Sequence, residues 1–261
     1  MDKVFTSAAA AVADVPDGAS LAVGGFGLSG IPWILIEALL GQGAGGLSVV
    51  SNNCGVDGAG LGLLLEKHRI RRVTASYIGE NKEFARQFLA GEVEVELTPQ
   101  GTLAEKLRAG GAGIPAFFTP AGVGTQVAQG GLPWRHAPDG SVLTSSPAKE
   151  VRVFHGQEHV LEESITTDYA LVRAALGDRH GNLKFHAAAR NFNPVAAMAG
   201  RITVAEVERL VEPGEIDPDD VHLPGVFVQR VVELTGEQAG AKSIEKRTVR
   251  PEGTVRPEDR P

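Results

Sequence analysis

Five apolar stretches in the first eighty residues decide what this chain can fold into. SLAV (20–23), WILIEALL (33–40), LSVV (47–50), LGLLLEKH (61–68) and RVTASYI (72–78) alternate between strand-length runs and helical patterns. Parallel strands need a crossover connection, usually a helix, so this alternation predicts a mainly parallel sheet covered by helices. EFARQFLAGE (83–92) predicts a further helix, and VEVEL (93–97) alternates as a strand does. Thr102 and Glu105 have capping-box spacing, so a helix is expected directly after a Pro99-Gln100-Gly101 turn. GGAGIPAFFTPAGVGT (110–125) reads as a long loop.

From about Trp134 the texture changes. HAPDGSVL and GDRHGNLKF carry turn residues between apolar runs and read as hairpins, while RITVAEVERLV and GVFVQRVVEL supply two more strands. The expected architecture is an open α/β fold with helices on both faces of the sheet and a small β-rich part, spanning residues 1–235. Residues 236–261 are polar, with VRPE at 249 and again at 255. Such a segment buries too little apolar area to order itself and is expected to be a disordered tail or linker.

The composition narrows the function. A formal charge of −7, with EKHRIRR (66–72) as the one basic cluster, argues against a nucleic-acid partner. That cluster reads as a solvated helix end. A single cysteine rules out an intramolecular disulfide and suits a reducing compartment. The N-terminus lacks the apolar core of a signal peptide, so a cytoplasmic location is expected. The charge-free stretch 18–36 holds too many glycines for a membrane span.

VGGFGLSGIP (23–32) places Gly25, Gly27 and Gly30 in the spacing G-x-G-x-x-G between a strand and a helix. A dinucleotide site also needs an acid about 20 residues further on for the ribose, and this chain has Ser51, Asn52 and Asn53 there. The loop is therefore read as one that lets a ligand approach the backbone closely at Gly24, Gly25 and Gly27, with the Phe26 ring beside it.

The fuller pattern DGASLAVGGFGLSGIP (17–32) resembles the family I coenzyme A transferases, and within them the A (alpha) subunit of 3-oxoacid CoA-transferases. SNNCGVDGAGLGLLL (51–65), SYIGENKEF (76–84), ELTPQGTLAEKLRAGGAGIPAFFTP (96–120) and AARNFN (188–193) resemble the same subunit in the same order. The resemblance implies a CoA-transferase (NagB/RpiA-like) fold and transfer of CoA from an acyl-CoA such as succinyl-CoA to a 3-oxoacid such as acetoacetate. It implies CoA thioesters as substrates, no further cofactor and no metal. A B (beta) subunit carrying the nucleophilic glutamate is the implied partner, in a heterodimer or heterotetramer. The alpha chain of a 3-oxoadipate CoA-transferase is the alternative within the same chemistry, and a sugar-phosphate or nucleotide-binding protein the remoter one.

Moving CoA between acids needs a carboxylate nucleophile and donors aimed at the oxyanion formed on each attack. Gln100 is the expected oxyanion donor, because the turn after a sheet strand is where open α/β sheets place ligands and an amide donates at any pH. Asn52 and Asn53, at the end of the second strand, are expected to bind substrate. Glu80 in GENK is a tempting nucleophile, but the segment resembles the alpha chain, and Lys82 stands where a glycine is expected. Cys54 reads as a small buried side chain, and the seven histidines show no metal-ligand spacing.

Overall fold

A computed structural model of the chain describes residues 2–242. A short β1 (Val4–Phe5) leads to α1 (Ala8–Val12), whose N-cap Ser7 accepts from the Ala10 amide. The alternation then follows as β2 (Ser20–Val23), α2 (Trp33–Gln42), β3 (Leu47–Val50), α3 (Gly62–Glu66), β4 (Ile70–Ala75), α4 (Lys82–Leu89), β5 (Glu94–Leu97) and α5 (Gln100–Gly111). The β-rich part holds β6 (Ala116–Thr119), α6 (Gln126–Gln129), β7 (Pro133–His136), β8 (Val142–Ser145), β9 (Val151–Phe154) and β10 (Gln157–Glu163). The chain returns to the main sheet through β11 (Thr167–Asp178), β12 (Leu183–Lys184), α7 (Asn193–Ala199), β13 (Gly200–Val211), β14 (Arg230–Glu233) and α8 (Gly236–Gly240).

The main sheet runs β1-β14-β13-β11-β2-β3-β4-β5 with every neighbouring pair parallel, and β12 pairs antiparallel with β11. Both faces are covered. Leu21 and Val23 of β2 pack with Leu35, Leu39, Leu64 and Phe84 from α2 to α4, whereas Ala22, between them, joins Leu103 and Leu107 of α5 and Ala196 and Ala197 of α7. Successive strand residues point to opposite faces, so a strand buried on both sides has no polar positions to alternate. That is why SLAV and LSVV read as nearly continuous apolar runs.

From β2 the chain builds outward through β3, β4 and β5, while β11, β13 and β14 fill the other side. The order reverses between β2 and β11, and in open parallel sheets the crevice beyond the carboxyl ends of the strands at such a point is where ligands bind. The loops leaving β2, β3, β4 and β5 border that crevice.

Four expectations change in detail. Pro99, with its ring-fixed φ of −51°, is itself the N-cap of α5, so the helix begins at Gln100 and the Leu103 amide closes its first turn on the Pro99 carbonyl. Thr102 is thus inside the helix and forms no capping box, and its buried hydroxyl has no hydrogen bond among the described residues. The expected long loop is broken by Ala116–Thr119, whose aromatic and β-branched side chains suit a strand and which pairs antiparallel with β10. Of GVFVQRVVEL only Arg230–Glu233 is strand, and Gly225–Phe227 is a single helical turn. The expected tail opens with α8, held by a capping box between Thr235 and Gln238, and Ala239 there accepts from Arg173 at 3.1 Å. Residues 243–261, with both VRPE copies, lie outside the described residues.

Candidate active site

The glycine loop leaves β2 at Val23. Gly24 and Gly25 are buried, and each lacks a Cβ for a steric reason. A Cβ on Gly24 would stand 2.0 Å from Asn193 Oδ1, and Gly25, at φ +102°, turns back against the Ile31 backbone. Phe26 and Ser29 exchange two backbone hydrogen bonds of 3.0 Å, closing a two-residue turn that Gly27 enters at φ +59°. Asn193, fully buried at the start of α7, holds the loop from the far side. Its Oδ1 accepts from the Arg173 amide at 3.1 Å and its Nδ2 donates to the Gly30 and Ala189 carbonyls at 2.9 Å each. Asn191 adds a bond to the Ser29 carbonyl at 3.1 Å. The AARNFN segment is therefore the clamp of the glycine loop.

The next crossover repeats the same device. Gly55, Gly58 and Gly60 all have positive φ, and Val56 and Ala59 bridge as Phe26 and Ser29 do. Sequence reasoning missed this pairing, although a signal was present: Gly25 and Gly55 are each followed five residues later by a second glycine and then an aliphatic residue.

The two loops and the strands beyond them meet on Asn52, which is 3% exposed. Its Oδ1 accepts from the Gly27 amide at 3.3 Å. Its Nδ2 donates to Ser76 Oγ and to Gln100 Oε1, both at 3.1 Å. Ser76 Oγ in turn donates to the Asn52 carbonyl at 3.0 Å. Four consecutive strand ends, those of β2, β3, β4 and β5, are thus joined by one side chain. Gln100 is exposed, and its Nε2 makes no hydrogen bond among the described residues. An amide in that state has two protons to offer a ligand.

The other sequence-predicted residues sit apart from this hub. Asn53 turns back to accept from the Gly55 amide at 3.0 Å, and Phe26 lies 46% exposed at the tip of its turn. Glu80 is exposed in the turn before α4 and hydrogen-bonds to none of Asn52, Ser76 or Gln100. Cys54 is fully buried, and burial pushes its thiol well above the usual range, which makes it a poor nucleophile. Among the described residues no group of His, Cys, Asp and Glu is arranged to hold a metal ion, and no helix is long and apolar enough to cross a membrane.

One charged group beside the crevice was not anticipated. Glu206 of β13 is fully buried, accepts from the Leu35 amide in the first turn of α2 at 2.9 Å, and lies 3.4 Å from Arg173 Nη1. It supplies the acceptor that the α2 N-terminus lacks, since the N-cap Pro32 makes no side-chain cap hydrogen bond. Burial pushes its carboxyl up to about 7, against the lowering influence of Arg173. The signal in sequence was weak, because Glu206 is one of two glutamates in a strand that also carries Arg201 and Arg209.

A family model described as coenzyme A transferase matches residues 5–234. The chain belongs to the coenzyme A transferase family. As a CoA transferase chain it is 68% identical over 250 residues to the A subunit of the probable succinyl-CoA:3-ketoacid coenzyme A transferase of Mycobacterium tuberculosis, covering 96% of this chain and 100% of the relative. It is 53% identical over 250 residues to the A subunit of the succinyl-CoA:3-ketoacid coenzyme A transferase of Helicobacter pylori, covering 96% and 99%. Its fold matches the crystal structure of an acyl-CoA transferase from Escherichia coli O157:H7 with a TM-score of 0.74 at 24% identity, over 91% of this chain. The CoA transferase chain spans 48% of the length of that structure.

Proposed function

We propose that this chain is the A subunit of a succinyl-CoA:3-oxoacid CoA-transferase that works with a separate B subunit, as a heterodimer or heterotetramer in the cytoplasm, with CoA thioesters as substrates and no other cofactor. End-to-end likeness to chains named as that subunit supports the substrate pair. The observation that carries the chemistry is Gln100: an exposed amide at the sheet's ligand crevice, held by its oxygen and with its nitrogen unengaged, beside which no carboxylate hydrogen-bonds. Among the described residues the site offers a donor for an oxyanion and no carboxylate hydrogen-bonded beside it, which supports a nucleophile on the partner.

In the proposed reaction a glutamate carboxylate of the partner attacks the succinyl thioester carbonyl. The tetrahedral oxyanion collapses to an anhydride with loss of CoA thiolate. The thiolate attacks the glutamyl carbonyl of the anhydride, releasing succinate and leaving a glutamyl-CoA thioester. The carboxylate of the 3-oxoacid then takes the same steps in reverse order and departs as its CoA ester. Each addition puts a negative charge on a former carbonyl oxygen, and Gln100 Nε2–H is the donor this chain contributes to it. Gly27, Phe26 and Asn53 stand on the loops that border this approach, and Gly24 and Gly25 hold the first of these loops in place by packing against Asn193 and Ile31.

The chain purified alone is expected to transfer no CoA, with activity appearing on addition of the B chain. Treating the assembled complex with succinyl-CoA and then borohydride should trap a reduced glutamate, and peptide mapping should find it on the partner. A label on Glu80, or transfer by the isolated chain at a rate near that of the complex, would overturn this division of labour.

A further inference from the structure

The hydrogen-bond pattern around Asn52 admits one orientation only. A backbone N–H can do nothing but donate, so the atom of Asn52 that faces the Gly27 amide has to be Oδ1. Nδ2 then lies on the opposite side, where it meets Ser76 Oγ and Gln100. The Ser76 hydroxyl has its proton directed to the Asn52 carbonyl, so towards Nδ2 it is an acceptor, as this orientation requires. The atom of Gln100 facing Nδ2 must likewise be an acceptor, Oε1. The whole network is fixed from a main-chain group that cannot flip.

We propose that Asn52 is a positioning residue that sets which end of the Gln100 amide faces the crevice, and that the glycine loop acts on the reaction through it. Both Nδ2 protons of Asn52 are used inside the chain, so it has no donor left for a substrate. By holding Oε1 it turns Nε2 outward before any substrate arrives. An unheld glutamine presents its oxygen as readily as its nitrogen, and an oxygen facing a developing oxyanion repels it. Pre-orientation of that kind is what gives an oxyanion donor its effect.

This inference rests on the reading of Gln100 as the oxyanion donor, so the experiment is a double-mutant cycle that tests the two separately. Wild type, Gln100→Ala, Asn52→Asp and the double variant are assembled with the B chain and assayed for turnover from succinyl-CoA to acetoacetate. Asn52→Asp keeps shape and the acceptor for Gly27 but replaces the donor with a carboxylate oxygen, which attracts Nε2 and reverses the glutamine. Gln100→Ala is expected to lower kcat on the order of 10²-fold to 10³-fold. Asn52→Asp is expected to fall by a similar factor with KM within about twofold, and to add less than about twofold in the Gln100→Ala background. Its deficit relative to wild type should shrink as pH falls into the carboxyl range, because the introduced carboxyl donates again once it is protonated.

Asn52→Asp at wild-type kcat, or losses that multiply in the double variant, would overturn the positioning role. Gln100→Ala at wild-type rate would overturn the oxyanion reading itself. If Asn52→Asp fails to assemble, Asn52→Ser, too short to reach Gln100, is read in the same cycle against the same outcomes.

Discussion

The two glycine loops, 25–31 and 55–61, share a bridged two-residue turn between two left-handed glycines. Within the turn the left-handed glycine comes first in one loop (Gly27) and second in the other (Gly58), and their surroundings differ. The first is gripped from α7 by Asn191 and Asn193, its turn amide reaches Asn52, and the helix that follows is capped across the sheet by Glu206. The second is tied locally: Asn81 donates to the Cys54 carbonyl at 3.0 Å and caps α4 by accepting from Phe84 at 2.8 Å. Only the first stands at the point where the strand order reverses. Position in the sheet separates a turn linked to chemistry from one that merely closes a crossover.

The sharpest way to break this comparison is to add one methyl group to each region. Gly24→Ala drives a Cβ to 2.0 Å from Asn193 Oδ1, and Gly62→Ala drives one to 2.1 Å from the Val56 carbonyl. Overpacking of this kind costs about 1–3 kcal/mol or more, and comparable losses are expected for both in urea unfolding. Their activities should diverge. In complexes assembled with the B chain, Gly24→Ala should lose at least tenfold in kcat because the clamp on the first loop moves, whereas Gly62→Ala should stay within about twofold. Equal kcat losses would erase the distinction.

A somewhat smaller effect sharpens the difference in how the two helices begin. The Glu206 carboxyl faces the Ile34 and Leu35 amides, Arg173 and Glu37, and burial leaves it titrating at about 7 in the fold against an ordinary 4.5. The folded chain therefore holds this proton where the unfolded chain releases it. The resulting stability is full below about pH 4.5, declines as pH rises towards 7, and is level beyond. Across that window the decline is on the order of 3 kcal/mol. Glu206→Gln has no such titration, so its stability relative to wild type should rise between pH 5 and pH 8 in urea unfolding. An unchanged difference between the two at both pH values would mean that Glu206 is ionised throughout.

The sheet was legible because its central strands are buried on both faces, and no polar alternation obscures runs such as SLAV and LSVV. Gln100 and Asn52 were legible as candidates because they follow strand ends. Their contact was not, since β3 and β5 lie 48 residues apart at these positions and only the fold puts them within 3.1 Å. The start of α5 was misplaced because Thr102 and Glu105 satisfy a local rule that Pro99 pre-empts three residues earlier. Arg173 and Glu206 escaped notice for a similar reason. A buried ion pair needs two strands in register, and a single sequence shows each charge alone.

The mildest test separates the tips of the two turns. Gly27 and Gly58 sit at φ +59° and +70°, and a Cβ on either meets nothing closer than 3.9 Å. Alanine at each position therefore carries only the left-handed backbone penalty, about 1–2 kcal/mol. Stability alone cannot tell the two apart. The amide of Gly27 donates to Asn52 Oδ1, while that of Gly58 donates to Glu66 at the outer surface. If relaxation of the strained turn draws the Gly27 amide away, Asn52 loses the contact that fixes its orientation. Gly27→Ala should then reduce kcat several-fold, and Gly58→Ala should leave it at the wild-type value. Equal kcat in the two variants, measured on complexes with matched unfolding midpoints, would disconnect the glycine turn from the orientation of Gln100.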